Sequence, residues 1–246
     1  MFLVYETHWR GKNMRFLRWQ AIAGLILATV VSASALDTKY PSPGTLTYVM
    51  GEAWIGTQPL NEKSAGSAAL KAGQSLRTED GAAEVILVPE VFMRMGKDSS
   101  VQMISLNLTN VEVELKQGQA IVQIGELRKA NAIRVLEHGV TTQLLKKGLY
   151  EFDADQHQVR VFKGEAAVQE GERHAVLKGG RQVALSSAGE LSAPKFNKHQ
   201  YESSDLYRFN SMRSNYLAEA NAPSCWESYC WPGWRGSGRL RVGRWW

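Results

Sequence analysis

Alternating apolar and polar residues, interrupted at short intervals by glycine, restrict the fold of this chain more than any other feature. In "VELKQGQAIV" (113–122), valine and leucine alternate with glutamate and lysine, and a second apolar run follows Gly118. The phrase returns as "VRVFKGEAAV" at 159–168. A period of two places one set of side chains in a core and the other set in water, which is typical of β-strands.

Glycine separates these runs, and it accepts the positive φ of tight hairpin turns at little steric cost. We interpret each phrase as a tight turn between two short antiparallel strands. The predicted structural turn glycines are Gly73, Gly81, Gly118, Gly148, Gly164 and Gly180. The last three are sixteen residues apart, and such even spacing is typical of sandwiches, barrels and coiled β-arrays.

These patterns predict an all-β fold, a sandwich or coiled β-array of short antiparallel strands and glycine turns. Helical signals are nearly absent between residues 40 and 192. Pro89 cannot donate to a β-ladder, so we expect it at an edge or a bend. The apolar face switches between Met103 and Ile104, which predicts a β-bulge.

The pattern changes after Leu191. Residues 204–221 carry Leu206, Phe209, Tyr216, Leu217 and Ala220 at helical spacing, and Ser204 or Asp205 can cap the start. This predicts one C-terminal helix, within an extension at 194–222, that packs on its own domain. Residues 223–246 hold five of the eight tryptophans without periodicity, so we expect an irregular, disordered tail rich in Trp, Arg and Gly.

The N-terminal region has the layout of a secretory signal peptide. Arg15 and Arg18 precede an apolar run, and Ala33 and Ala35 are small residues at the expected cleavage site. We predict a signal peptide at 1–35, with Met14 as an alternative start and an uncleaved membrane anchor as the alternative interpretation. The run is short for a bilayer span, so the mature chain is expected to be periplasmic or secreted without a stable membrane span.

The basic charge is confined to the two ends of the chain. The formal net charge is +5 at pH 7. Residues 1–35 contain four basic residues and one glutamate, and residues 224–246 contain four arginines and one glutamate. The body between them is close to neutral, so nothing in it indicates a nucleic-acid partner.

Cys225 and Cys230 are the only cysteines, and four residues separate them. In an exported protein this pair predicts a small-loop disulfide, with free thiols as the alternative. The spacer is too long for a CxxC redox motif. Neither a second cysteine pair nor a nearby histidine completes a zinc site.

No other motif indicates catalysis, a cofactor or a metal. The mature chain has four histidines: His138, His157, His174 and His199. None pairs at a metal-binding spacing. Asp153 and Asp155 resemble part of a calcium loop but lack its glycine and distal glutamate, so we expect a solvated turn there. The sequence therefore predicts a non-enzymatic protein without cofactor or metal.

The order of the strand phrases resembles the extracytoplasmic FecR-type domain. The resemblance covers roughly residues 44–187 and predicts a FecR-like β domain at 36–193. Its most specific phrase joins Gly73, Leu76, Arg77, Thr78 and Gly81. The stretches that carry it are "VMGEAWI" (49–55), "LKAGQSLRTEDGAAEVIL" (70–87), "GKDSSVQM" (96–103), "VEVELKQGQAIVQI" (111–124), "YEFDADQHQVRVFKGEAAV" (150–168) and "LKGGRQVAL" (177–185).

The resemblance implies a β-rich domain that works outside the cytoplasm. In founding members it follows a cytoplasmic anti-sigma segment and a transmembrane helix, and it receives a signal from an outer-membrane transducer. No such segment precedes the predicted signal peptide, so this chain is not expected to hold a sigma factor itself. The family brings no catalytic residues.

We therefore predict a protein-binding or sensory module of the bacterial cell envelope, whose partner is another envelope protein. Two alternatives stay open. One is a module that binds carbohydrate or another envelope polymer through the Trp-rich tail. The other is a sensor that acts with a separately encoded regulator of gene expression.

Overall fold

A computed structural model describes residues 42–185 and 191–220 of the chain. The predicted signal peptide with Ala33 and Ala35, and the tail at 223–246 with Cys225 and Cys230, lie outside the described residues. The strands are β1 (Leu46–Ile55), β2 (Gln58–Leu60), β3 (Ser75–Val88), β4 (Val91–Met95), β5 (Ser100–Asn107), β6 (Asn110–Gln117), β7 (Gln119–Ile124), β8 (Ala132–Glu137), β9 (Val140–Leu144), β10 (Gly148–Asp153), β11 (Gln158–Lys163), β12 (Glu165–Glu170), β13 (Arg173–Lys178) and β14 (Arg181–Ala184). The helical elements are a 3-10 turn at Glu62–Ser64, a short helix at His199–Glu202 and the C-terminal helix at Asp205–Ala220.

The fourteen strands form one sheet that is rolled into two halves around a shared core. The order is β13-β12-β9-β8-β6-β5-β3-β4-β7-β10-β11-β14, and β1 and β2 pair beside β3. β3 joins the halves, because its first residues pair with β5 and its last residues pair with β4. We call β5, β6, β8, β9, β12 and β13 the open half, and β4, β7, β10, β11 and β14 the covered half.

One hydrophobic core lies between the halves. Val113 and Val135 of the open half belong to the same buried cluster as Val122, Tyr150 and Phe152 of the covered half. Burying such side chains stabilises the fold by about 1.5–3 kcal/mol each. The predicted all-β sandwich of short strands is confirmed.

The two halves differ in how their outer faces are buried. In β6 and β8 buried residues alternate with half-buried ones, as expected for a sheet with one face in water. In β10 and β11 most residues are buried, and the buried residues include those on both faces of each strand. The alternation in β11 thus hides a second buried face, which includes the charged Arg160.

The hairpin interpretation of the glycine phrases is wrong. Gly118, Gly148, Gly164 and Gly180 each stand where the chain passes from one half to the other, and the strands on either side of them do not pair. The hairpins lie between these corners, for example β8–β9 and β10–β11. The sixteen-residue spacing is therefore the length of one hairpin.

Two successive corners pack against each other, and this contact requires glycine. Gly164 has a φ of +102°, and a Cβ there would lie 2.2 Å from the hydroxyl of Tyr150. Gly148 lacks a positive φ, but its Cβ would lie 2.0 Å from the carbonyl oxygen of Lys163. Close approach of backbone to backbone, rather than turn geometry, explains Gly148.

The other predicted turn glycines, Gly73 and Gly81, do not lie in hairpin turns either. Gly73 has a φ of +82° in the turn before β3, where its N–H donates to the carbonyl of Met103 at 2.7 Å. Gly81 lies inside β3 at the passage between the halves, and a Cβ there would lie 2.5 Å from the carbonyl oxygen of Met50. Gly180 has a φ of +86°.

One strand pair departs from the antiparallel prediction. β6 and β8 are parallel, with Val111 opposite Ile133 and Val113 opposite Val135. The chain leaves β6 at Gly118, runs back through the covered half as β7, and re-enters the open half for β8. It therefore enters β8 in the direction in which it entered β6.

Two local predictions are confirmed. Pro89 lies in the turn between β3 and β4, where no ladder hydrogen bond is required of it. The pairing of β5 with β6 shifts register between Met103 and Ser105, which is the bulge that the change of face predicts.

The C-terminal helix packs on the outer face of the covered half. The N–H of Tyr207 donates to the Ser204 hydroxyl at 3.3 Å, so Ser204 caps the helix as expected. Leu206 and Phe209 are buried in a small cluster with Ala82 and Ile121. No helix among the described residues has the length and hydropathy needed to cross a bilayer.

The predicted apolar stripe of this helix is correct only in its first half. Tyr216 is 60% exposed, Ala220 is exposed and Leu217 is half-buried. Instead, the buried positions one turn after Leu206 and Phe209 are polar, Asn210 and Arg213. The second part of the helix is held by charge and hydrogen bonding, which an apolar stripe cannot reveal.

Candidate functional site

The two end strands of the sheet differ in what lies beside them. Beside β14, the N–H of Gln182 donates to the Pro194 carbonyl at 3.0 Å and the N–H of Phe196 donates to the Gly180 carbonyl at 3.1 Å. The chain itself therefore covers the β14 edge. Within residues 42–185 and 191–220, no strand pairs with the side of β13 that faces away from β12.

β13 and the outer face of the open half form the candidate binding surface. Val176 of β13 is 52% exposed, which is unusual for a valine in a strand. Next to it the outer face carries Ala167 and Gln143, each half-buried or exposed. This surface offers an edge for a strand and an adjoining mixed polar and apolar face.

The covered half has a buried charged network that holds the C-terminal helix. Glu84 of β3 accepts from Arg94 Nε of β4 at 2.6 Å and from Arg213 Nη2 of the helix at 2.7 Å. Thr47 donates to the same carboxylate at 2.8 Å. Glu84 and Arg94 are completely buried.

Polar side chains of the sheet and the helix complete this network. Arg94 Nη1 donates to Gln123 Oε1 at 2.6 Å and also to the side-chain oxygen of Asn210. Burial alone would raise the pKa of Glu84, but Arg94 and Arg213 outweigh it and hold this pKa below its ordinary value. The network thus positions the helix with an ionised glutamate at its centre.

A second buried ion pair lies under the chain that leads into this helix. Arg160 Nη1 of β11 donates to Glu151 Oε1 of β10 at 2.6 Å, and the guanidinium carbon lies 4.3 Å from the ring centroid of Tyr201. Burial raises the pKa of Glu151, and Arg160 opposes the shift. Both arginines of the covered face therefore serve as attachment points for the C-terminal segment.

Two histidines predicted to be scattered are in contact. His138 lies in the β8–β9 turn and His157 in the β10–β11 turn, with their Nδ1 atoms 3.2 Å apart. Their rings meet edge to face at 4.2 Å between centroids. Both residues have a left-handed backbone, with φ of 48° and 50°, a conformation in which histidine is enriched among non-glycine residues.

Glu137 is buried beside this histidine pair. It follows Ile133 and Val135 on the core-facing side of β8, and only 1% of it is exposed. Neither carboxylate oxygen has a hydrogen-bond partner among the described residues. Burial raises the pKa of Glu137 to about 8, with the charges of Asp153 and Asp155 adding to the shift and Arg160 opposing it.

The sequence prediction missed this cluster because eighteen residues separate the two histidines. Only the packing of the two halves in the folded structure brings the β8–β9 turn next to the β10–β11 turn. One signal was readable: the alternation of Ile133 and Val135 places the charged Glu137 on the core side. A buried carboxylate without hydrogen-bond donors is rare, so the residues next to Glu137 become candidates for a functional site.

Asp153 and Asp155 form a turn between Phe152 and Val159, but the turn is not fully solvated. Asp153 is buried and accepts from Gln119 Nε2 at 2.8 Å, while Asp155 accepts from the N–H of Gly118 at 3.0 Å. These aspartates tie the β10–β11 turn to the Gly118 corner. His174 of β13 and His199 of the short helix are exposed and lie outside the cluster.

No family model and no curated protein matches the chain. Two crystal structures, at 2.50 and 1.65 Å, of a protein described as a putative anti-sigma factor from Parabacteroides distasonis are similar in structure. Each is 14% identical, with a TM-score of 0.43, and the match covers 50% of this chain and 60% of that protein. At this distance the likeness carries no argument about function.

Proposed function

We propose that this chain is an exported, non-enzymatic, FecR-like protein of the bacterial cell envelope whose β domain binds another envelope protein. The unequal coverage of the two halves carries the proposal. The C-terminal segment buries the covered half, whereas the open half ends at β13 with Val176 52% exposed. A sensory role follows if binding at this surface reports on the partner.

An exposed strand edge suits a protein partner because its backbone groups can extend the sheet into a second chain. Backbone hydrogen bonds supply affinity in this mode, and alternate side chains supply specificity. On β13 the outward residues His174, Val176 and Lys178 would supply that specificity. The order of the FecR-like phrases over residues 44–187 supports the family assignment, and residues 14–35 support export.

The pairing of the buried carboxylates of the covered half supports a non-enzymatic role. Glu84 and Glu151, two buried carboxylates of the covered face, are each paired with arginine and serve to attach the C-terminal segment. The polymer-binding alternative differs from this proposal because the Trp-rich tail would make the contact, and the sensor alternative differs in that the chain would act with a separately encoded regulator of gene expression.

Replacing Val176 with lysine is expected to reduce capture of the partner strongly. A charged side chain on an edge strand opposes pairing with a second chain, and natural edge strands use lysine for this purpose. The mature chain from residue 36 is immobilised and exposed to envelope extract, and retained proteins are identified by mass spectrometry. One specific protein is expected on the parent chain and at least about tenfold less of it on Val176→Lys.

Leu108→Lys is the matched control, because Leu108 is 58% exposed in the β5–β6 turn, away from β13. It should capture as much partner as the parent chain. Equal capture by the parent and Val176→Lys would contradict the edge as the binding site. A chain that ends at residue 222 tests the tail: lost capture, or lost binding to envelope polymer, would support the polymer-binding alternative.

A further inference from the structure

Two turns, one from each half, bring three metal-ligating side chains to one point. His138 comes from the β8–β9 turn of the open half and His157 from the β10–β11 turn of the covered half. Glu137 ends β8 immediately before His138. Ligating atoms of the three side chains all lie within 4.8 Å of one another.

We propose that Glu137, His138 and His157 bind one divalent ion of the zinc class, through two imidazole nitrogens and one carboxylate oxygen. Zinc bonds to histidine nitrogen at about 2.0–2.1 Å, so two nitrogens on a tetrahedral centre are about 3.4 Å apart. The Nδ1 atoms of His138 and His157 are 3.2 Å apart. Their separation already matches the edge of such a centre.

The carboxylate distinguishes a ligand set from two histidines that merely touch. Glu137 is 1% exposed, and no described residue donates a hydrogen bond to either of its oxygens. Burying such a group without a partner is unfavourable, and a bound cation removes the penalty. The charges of Asp153 and Asp155 act on Glu137 and make the potential there more negative, which would attract a cation, while Arg160 opposes them.

The donor set selects the class of ion. Imidazole nitrogen suits zinc, copper and nickel, whereas calcium and magnesium require mostly oxygen ligands. Three protein ligands leave a fourth position for water or for a group from a partner. Because His138 is exposed, this position is open to solvent.

Binding would link the two halves directly. The ion would fix the β8–β9 turn against the β10–β11 turn, at the point where the two histidine side chains are already in contact. An ion that binds only the folded state raises its stability by mass action. A rise in melting temperature with zinc is therefore a direct readout.

Calorimetric titration of Zn²⁺ into the metal-free full chain at pH 7.5 tests the site. The chain carries Cys225→Ser and Cys230→Ser, so that the tail thiols cannot bind zinc. We expect one ion per chain and a higher melting temperature. His138→Asn and His157→Asn should each weaken binding at least about tenfold, since even indirect support of a ligand is worth tenfold or more. Asparagine tolerates the left-handed backbone, so folding is preserved.

Glu137→Gln should also weaken zinc binding at least about tenfold, because it removes the anionic ligand. His174→Asn and His199→Asn are the controls and should bind as the parent does. Co²⁺ should give the visible absorption of a tetrahedral centre in the parent and lose it in His157→Asn. Absence of binding in the serine background, unchanged affinity in any of the three ligand variants, or an equal thermal shift with Mg²⁺ would overturn the proposal.

Discussion

Replacing Glu84 with glutamine is expected to lower the free energy of unfolding by about 3–5 kcal/mol. Among the described residues, Glu84 is the only anion that contacts both Arg94 and Arg213, and all three side chains are buried or nearly so. Glutamine has nearly the same volume but no charge, so two guanidinium groups would be left in the interior without a counter-ion. Urea denaturation monitored by circular dichroism measures the loss.

The control for this variant is Glu112→Gln. Glu112 faces Arg134 at 3.6 Å on the outer face of the open half, where both side chains reach solvent. Pairs of this kind contribute at most about 1 kcal/mol, so the control should stay close to the parent. Similar small losses in both variants would show that the buried network is not what holds the helix.

Acid should reproduce part of the effect of Glu84→Gln. The folded-state pKa of Glu84 lies below its ordinary value of 4.5. Because the folded-state pKa is depressed, the unfolded chain binds more protons than the folded chain between that pKa and 4.5. The stabilising contribution of Glu84 is therefore present above pH 4.5 and is lost as the pH falls through the folded pKa. The helix should therefore become sensitive to protease in acid before the core strands do.

In the metal-free protein, stability should fall by about 4 kcal/mol as the pH rises from 5 to 8.5, because Glu137 is buried without a partner. Its pKa is about 8 in the folded chain against an ordinary 4.5, so the folded state binds the extra proton between these values. The contribution is fully present below pH 4.5 and disappears as the pH passes the folded value. Thermal unfolding in EDTA across this range measures the slope.

Glu137→Gln should remove most of this pH dependence and leave the protein more stable than the parent at pH 8.5. Glu151 also has a raised pKa and contributes in the same direction, so the difference between parent and variant isolates Glu137. The charged groups that act on Glu137 are Asp153, Asp155 and Arg160. Identical profiles for parent and variant would contradict the burial of an unpaired carboxylate.

The strands were predictable because their signal is local. Valine and leucine alternate with charged residues in β6, and the break after Met103 marks a bulge whether or not the partner strand is known. Ser204 likewise shows the start of the C-terminal helix from its own side chain. In each case the sequence signal lies in the same residues that form the strand, the bulge or the helix cap.

The corners and the charged face were not predictable because they depend on distant strands. Gly118 and Gly164 each allow a sharp change of chain direction. Whether the next strand pairs with the strand before the glycine or crosses to the other half depends on which surface is still unburied. Arg160 has the spacing of a solvent-facing residue, yet Glu151 and Tyr201 bury it. Contacts between residues far apart in the chain decide both outcomes.

The crossings between the halves also determine how the protein can fold. From β6 onward the chain visits the open and covered halves in turn, so neither half is a continuous stretch that could assemble first. Entropy must be lost in closing several long loops before the core forms, and such topologies fold slowly and in one cooperative step. Cutting the chain at Gly118, Gly148 or Gly164 would leave two fragments, each with strands from both halves and neither with a complete core.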